Sequence, residues 1–322
     1  MTSVVETEEL KKHYGHTVAL SGLDLHIPQG IVYGLIGPNG AGKTTTLKLL
    51  LDILRPSAGT VRVFGENPRI AGPRLRQRIG YIPGEFRIAG RTTGRSWLEY
   101  LARLSGPMDH DMINLLAERL DANLDVNVQK LSKGNKQKLA LIQAFMHEPE
   151  LLILDEPSSG LDPLIQREFL AMVAEAKGRG QTILLSSHVL SELQEIADRV
   201  GVLRAGELVA DRATEDIRLG SIRNIRCLIT GTDRAELDAK LNAIPQLSNL
   251  TIEASAQGLI PDHGTDSSSA ESYRIRADID GDLNPIIRAL SAWNLAELAV
   301  EEPDLEQSVL RLYSSSKGTE QS

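Results

Sequence analysis

Short apolar runs alternate with longer amphipathic stretches along the chain, the pattern of an α/β protein. Residues 22–27 (GLDLHI) alternate apolar and polar, which predicts a half-buried strand. Residues 31–36 (IVYGLI) are continuously apolar, which predicts a strand buried on both faces. A helix is expected over 42–53, stopped by Arg55-Pro56, and another short strand over 59–65. The stretch 96–120 reads as mainly helical with a break at Ser105-Gly106-Pro107. Residues 151–154 and 182–185 are again buried-type strands, separated by a helix over 164–177.

A second unit begins after about residue 212. Its order is strand (222–229), helix (233–243), strand (247–254), strand (272–277), helix (284–293), strand (295–301). That β-α-β-β-α-β order is the ferredoxin-like pattern. The Gly-, Pro-, Asp- and Ser-bearing stretch 255–272 predicts a mobile surface loop. A last helix is expected over 305–313, followed by a disordered tail, 314–322.

Composition narrows the class. Of 322 residues, 41% are hydrophobic and 24% charged, which suits a globular chain and not a disordered one. The single cysteine, Cys227, excludes an intramolecular disulfide and argues against a Cys-based zinc or redox site. No apolar stretch approaches the roughly 20 residues needed to span a bilayer; 47–54 already contains Lys48 and Asp52. The opening MTSVVETEEL has acidic groups and no basic region, so no secretory signal is expected. The net charge of −8 is uneven: residues 212–322 hold 11 Lys and Arg against 18 Asp and Glu, and the rest is nearly balanced. An acidic second half disfavours nucleic acid, whose binders replace counterions with their own cations.

Two motifs point to phosphate chemistry. Gly37-Pro38-Asn39-Gly40-Ala41-Gly42-Lys43-Thr44 is a complete G-x-x-x-x-G-K-[ST], between a buried-type strand and a helix, followed by Thr45. Its backbone N–H groups can turn inward around phosphate oxygens, with the positive end of the helix behind them. Lys43 supplies a cation for the β/γ-phosphates, and the Thr44 hydroxyl is a ligand for Mg²⁺. In the second motif, Leu151-Leu-Ile-Leu-Asp155-Glu156, a buried strand presents two carboxylates at its carboxyl end. Asp155 suits Mg²⁺, and Glu156 suits a general base toward an attacking water. Alone, such a strand end is more often a solvated acidic turn; beside a phosphate loop the balance reverses.

Between them lies Leu131-Ser132-Lys133-Gly134-Asn135-Lys136-Gln137-Lys138. Read by itself, LSKGN is an ordinary helix N-cap. In this company it resembles the LSGGQ signature of the ABC (ATP-binding cassette) ATPases, with Ser132 and Gly134 matching, and Lys133 and Asn135 replacing a Gly and the Gln. The resemblance covers about residues 4–211. It implies an ABC-type P-loop ATPase domain over 1–211 with a helical subdomain near 90–147, and an accessory α+β, ferredoxin-like domain over 212–313.

The resemblance also implies roles. Ser132 and Gly134 contact the γ-phosphate of ATP held by a partner subunit, and Ser159-Gly160-Leu161-Asp162 resembles the D-loop that crosses the dimer interface. His188, in Leu185-Ser-Ser-His188, resembles the H-loop residue that contacts the γ-phosphate and orients Glu156 and water, and Tyr14 looks like the aromatic that stacks on adenine. Where the family's Q-loop places a Gln, this chain has Gly84, within Ile79-Gly-Tyr-Ile-Pro83-Gly84-Glu85. Either Glu85 substitutes at the metal or water makes the contact. Pro-Gly-Glu here, Ser-Lys-Gly-Asn in the signature and Glu302-Pro-Asp-Leu-Glu306 near the end resemble the antibiotic and multidrug exporter branch.

The expected function is therefore an ATP- and Mg²⁺-dependent ATPase subunit that energises export of a small molecule through a separate integral-membrane permease. It is expected to sit peripherally on the cytoplasmic face of the membrane, paired with a second ATPase subunit in a homodimer or pseudo-symmetric pair. No nucleic acid is expected. The alternative is a soluble ABC ATPase acting on ribosomes or nucleic acid; a nucleotide sensor with little turnover is a third reading. The arginines at 69, 74, 76, 78, 87, 91 and 95 read as a solvated face, or as contacts to anionic headgroups or acidic permease loops. For the second domain, dimer support is preferred over small-molecule binding.

Overall fold

The continuously apolar runs become strands buried on both faces. The structure, a computed structural model, describes residues 3–86, 88, 90–105, 109, 111–187, 190–215, 222–255 and 272–301. The described chain divides into two compact units, the first running to Thr214 and the second starting at Glu215. The first unit opens with β1 (Ser3–Tyr14), β2 (Thr17–Pro28), β3 (Val32–Ile36), α1 (Lys43–Leu50) and β4 (Ala58–Val63). Then come the single-turn helices α2 (Pro68–Ala71) and α3 (Pro73–Arg76), β5 (Ile79–Ile82), α4 (Gly94–Ser105), α5 (Asp111–Arg119) and α6 (Lys133–Phe145). It closes with β6 (Leu151–Asp155), α7 (Pro163–Gly178), β7 (Thr182–Ser187), α8 (Leu190–Ile196), β8 (Arg199–Arg204) and β9 (Glu207–Ala213).

A six-stranded sheet of order β5-β6-β7-β3-β8-β9 is parallel except for its last strand. Every residue of β3, β6 and β7 is buried. Beside it lies a three-stranded antiparallel sheet, β2-β1-β4. Leu10, Leu20, Leu23 and Ile27 of β1 and β2 pack with Leu35, Leu47 and Leu50 of β3 and α1 in one core. Thus α1, which carries the phosphate loop's end, is held between the two sheets by apolar burial worth about 1.5–3 kcal/mol per large side chain.

β1 was not expected from the sequence, because its charged outer residues hide the buried Val5, Thr7 and Leu10. Thr7 replaces a purely apolar position by bonding across the ladder: its Oγ1 donates to Leu23 O and accepts from Leu25 N–H. The hairpin β8–β9, turned at Ala205-Gly206 with both φ angles positive, carries the first unit three residues past the expected boundary at 211. The expected helix over 42–53 ends at Leu50.

The second unit consists of β10 (Ile222–Thr230), α9 (Arg234–Asn242), β11 (Leu247–Ala254), β12 (Ser272–Asp280), α10 (Asn284–Leu290) and β13 (Asn294–Glu301). Its antiparallel sheet has the order β11-β12-β10-β13, the ferredoxin-like arrangement. Ile225, Cys227 and Ile229 on one sheet face meet Leu237, Leu241, Ile286 and Leu290 of the helices. Burial there pushes the Cys227 thiol up to about 11, so it is a packing residue with no thiolate at neutral pH. Residues 256–271 of the expected loop over 255–272, the helix over 305–313 and the tail lie outside the described residues. Among the described residues, no helix is long and apolar enough to cross a membrane.

Candidate functional site

The carboxyl ends of β3, β6 and β7 lie side by side, with Leu154 opposite Leu185, Asp155 opposite Ser186 and Ile36 opposite Ser187. Ligands of open α/β sheets collect at this edge. From β3 the chain enters the loop 37–42, whose Pro38, Asn39 and Gly40 are exposed while Ala41, Gly42 and Lys43 are buried. Two of its glycines permit close approach. A Cβ on Gly37 would lie 2.2 Å from Leu203 O, and one on Gly42 would lie 2.7 Å from Ala19 O, where φ is also positive. The loop is therefore wedged between β8 and β2 with its outer arc free.

Lys43 folds back into this loop: its Nζ donates to Gly37 O at 2.6 Å and Pro38 O at 3.4 Å. Burial lowers the Lys43 pKa, and the negative charges of Glu156 and Asp155 act against that shift. The ammonium thus sits in the field of both carboxylates. Thr44 is exposed at the helix start and Thr45 is half-buried, whereas Thr46 is buried and its hydroxyl donates to Gly42 O.

Asp155 is 1% exposed. Its Oδ1 accepts a 2.6 Å hydrogen bond from Ser186 Oγ, and its Oδ2 is buried with no hydrogen-bond partner among the described residues. A buried carboxylate oxygen without a donor is costly unless something cationic or a water meets it. The donor set, one carboxylate and one hydroxyl near a phosphate loop, suits Mg²⁺, which keeps most of its own waters and takes few protein ligands. No group of three or more His, Cys, Asp or Glu that could hold a metal occurs among the described residues. Glu156 follows with φ 51°, a left-handed backbone unusual for a non-glycine residue. Its N–H donates to Ser186 O and Ser186 Oγ, which fixes the turn. Strain of this kind, about 1–3 kcal/mol, collects at functional sites.

Helix α6 is anchored to the same turn. Gln137 Nε2 donates to Pro157 O at 2.7 Å, and Lys133 Nζ donates to Ser159 Oγ at 3.0 Å. Gly134 lies against the turn 159–162, where an added Cβ would stand 2.7 Å from Gly160 O. Ser132 caps α6 by accepting from Asn135 N–H. Asp162 likewise caps α7, accepting from Leu164 and Ile165 N–H. Tyr14 ends β1 and is 46% exposed, with Lys12 Nζ 5.2 Å from its ring centroid.

Gly84 and Glu85 are exposed. Gly84 lies close enough to Asp155 that a Cβ would be 2.9 Å from Oδ2. His188 and Arg87 lie outside the described residues. Of the arginine stretch, Arg78 is not a free cation: it forms a bidentate pair with Glu150 and stacks over Phe64. Arg74 pairs with Glu66, and Arg95 with Asp125. Sequence reading missed Ser186 and Gln137, which position Asp155 and the turn. The polar pair Ser186-Ser187 closing a buried strand marks an unusual position without indicating its partner, and nothing local marks Gln137.

The family described as ABC transporter matches residues 20–159. The chain is 41% identical over 214 residues to the bacitracin transport ATP-binding protein BcrA of Enterococcus faecalis, covering 66% of this chain and 70% of that protein. Among solved structures, an ATP-binding subunit of an ABC transporter superposes with a TM-score of 0.62 at 31% identity, covering 67% of this chain and 92% of the other. A dimeric post-hydrolysis ATP-binding cassette bound to ADP and Pi superposes with a TM-score of 0.59 at 20% identity, covering 65% and 98%.

Proposed function

Because the chain belongs to the ABC transporter family as an ATP-binding subunit, we propose that it energises export of a small molecule of the antibiotic or drug class through a separate membrane permease. The observation that carries the chemistry is the convergence of Lys43, Asp155 and Glu156 at one sheet edge, with both carboxylates acting on the lysine's charge. The bacitracin-transport relative supports the cargo class.

The phosphate loop binds the triphosphate through its inward N–H groups, and Lys43 exchanges the Gly37 and Pro38 carbonyls for phosphate oxygens. Thr44 and Asp155 are the residues that would hold Mg²⁺, with Ser186 aiming the carboxylate. When bound, that ion neutralises charge on the phosphates. Glu156 takes the proton of the attacking water as general base; His188 stands next along the chain from β7 to orient it. Tyr14 offers its exposed ring to the adenine.

Ser132 and Gly134 serve the nucleotide of a second subunit, so two copies close head-to-tail around two ATP molecules. The dimeric cassette of the same fold supports this arrangement. ATP contacts available only in the closed pair shift the population toward closure, and closure acts on the permease at the cytoplasmic face. The direct test is Glu156→Gln. It should bind ATP, accumulate as a closed dimer and hydrolyse at least a hundredfold more slowly. Turnover near that of the unaltered chain would remove Glu156 from the base role.

A further inference from the structure

The backbone of Glu156 is held from two directions. Its N–H donates to Ser186 O at 3.1 Å and to Ser186 Oγ at 3.2 Å, which ties it to β7. Its carbonyl depends on the turn that follows, where Glu156 O accepts from Ser159 N–H at 3.2 Å. That turn begins and ends in left-handed backbone, with φ 51° at Glu156 and 82° at Gly160. A non-glycine residue in that region persists only where its surroundings over-determine it. Two of the side chains that hold the turn come from α6. Gln137 is one: its Nε2 donates to Pro157 O at 2.7 Å, and both residues are buried.

Lys133 is the other, on the exposed side. Its Nζ donates to Ser159 Oγ at 3.0 Å. Its stem lies across Gly160, with Cδ, Cε and Cγ at 3.4, 3.5 and 3.6 Å from the place of a Gly160 Cβ. Lys133 is also the first residue of α6, where the helix field disfavours a cation, and the first turn carries no acidic residue to offset it. Fixing an exposed lysine costs rotamer freedom as well. The position is thus unfavourable for α6 itself, and the contacts that Lys133 makes are with the turn.

We infer that Lys133 is a positioning residue for Glu156. The path is one residue long: Lys133 Nζ fixes the Ser159 side chain, and Ser159 N–H fixes the Glu156 carbonyl. Gln137 pins the turn from its buried side and Lys133 from its exposed side, so the backbone that aims the Glu156 carboxylate is set by α6. The glycine that the LSGGQ signature has at this place could make neither Lys133 contact. The latch therefore comes from this chain's departure from that signature. Lys133 lies between Ser132 and Gly134, so the helix end that serves a second subunit's ATP also sets the base in its own chain. The inference rests on the reading of Glu156 as general base.

The test uses the full chain, with steady-state ATPase kinetics and, in the Glu156→Gln background, ATP-driven dimerisation followed by sedimentation. Lys133→Met keeps the stem and removes the ammonium. It should lower kcat about fivefold, with KM for ATP and the dimerisation constant within about twofold of the parent's. Ser159→Ala removes only the acceptor and should lower kcat to the same extent. The double variant should be no slower than the slower single, because both changes delete one bond. Lys133→Arg should keep about half of the parent's kcat, since a single bond to a hydroxyl is open to a guanidinium donor. Melting curves report that each variant is folded. Parent-like kcat in Lys133→Met, losses that multiply in the double variant, or an arginine no better than methionine overturns the inference alone. So does a Lys133→Met that loses dimerisation as strongly as turnover, which would place its ammonium at the partner's nucleotide. If Glu156→Gln hydrolyses ATP as fast as the parent, the general-base reading and this inference fall together.

Discussion

Gly84 and the carboxylate of Asp155 are in near contact: a Cβ added to Gly84 would stand 2.9 Å from Asp155 Oδ2, the buried oxygen that has no hydrogen-bond partner. The missing side chain keeps room beside that oxygen for a water. Gly84→Ala should force the loop or the carboxylate to move. Nucleotide affinity in Mg²⁺ should fall about tenfold, equivalent to ~1.4 kcal/mol, while affinity in EDTA stays unchanged. Fluorescent-nucleotide titrations in the two buffers check this; equal affinities of variant and parent in Mg²⁺ would show that the space is idle.

The Lys43 environment fixes a pH dependence. Burial lowers its pKa in the free chain, whereas bound phosphate favours the ammonium and raises the pKa again. Binding therefore takes up a proton once the pH passes the free-state pKa. Affinity for ATP should fall with rising alkaline pH, beginning lower than an exposed lysine would allow. Lys43→Arg, whose guanidinium stays protonated, should bind with a flatter profile over the same range. The profiles are measurable by calorimetry, and parallel curves would contradict the assignment.

Ser186 holds Asp155 through a 2.6 Å hydrogen bond and also receives the Glu156 N–H. Ser186→Ala leaves the buried Asp155 carboxylate without its donor, at a cost of about 1–3 kcal/mol in stability, while Glu156 N–H keeps its bond to Ser186 O. It should also lower the hydrolysis rate more than it lowers ATP affinity, because Asp155 bears on both through Mg²⁺ whereas Glu156 acts only after binding. Denaturant titration and steady-state kinetics report the two effects separately. A variant as stable and as fast as the parent would mean that the contact contributes nothing.

Much of this architecture is legible from residue order, and the remainder is absent for physical reasons. β3, β6 and β7 declare themselves because strands buried on both faces must be continuously apolar, and the second unit because each element has its own periodicity. β1 does not, since only one of its faces is buried and its pairing shifts register around Glu9, whose φ is 45°. The phosphate loop and the Asp155-Glu156 pair are local motifs and can be recognised in isolation. The Ser186–Asp155 bond, the Gln137–Pro157 anchor and the approach of Gly84 to Asp155 depend on strand register and loop placement, which no local pattern encodes. Asp162 illustrates the same limit: its resemblance to a D-loop residue is local, but its double N–H cap on α7 emerges only with the fold.

The most direct test of the paired mechanism is the specific ATPase activity of the purified chain as a function of its own concentration. If Ser132 and Gly134 complete the site of a second copy, activity per chain must rise with concentration and level off once dimers dominate. Activity per chain that stays constant down to concentrations where the protein sediments as a monomer in ATP and Mg²⁺ would contradict the account.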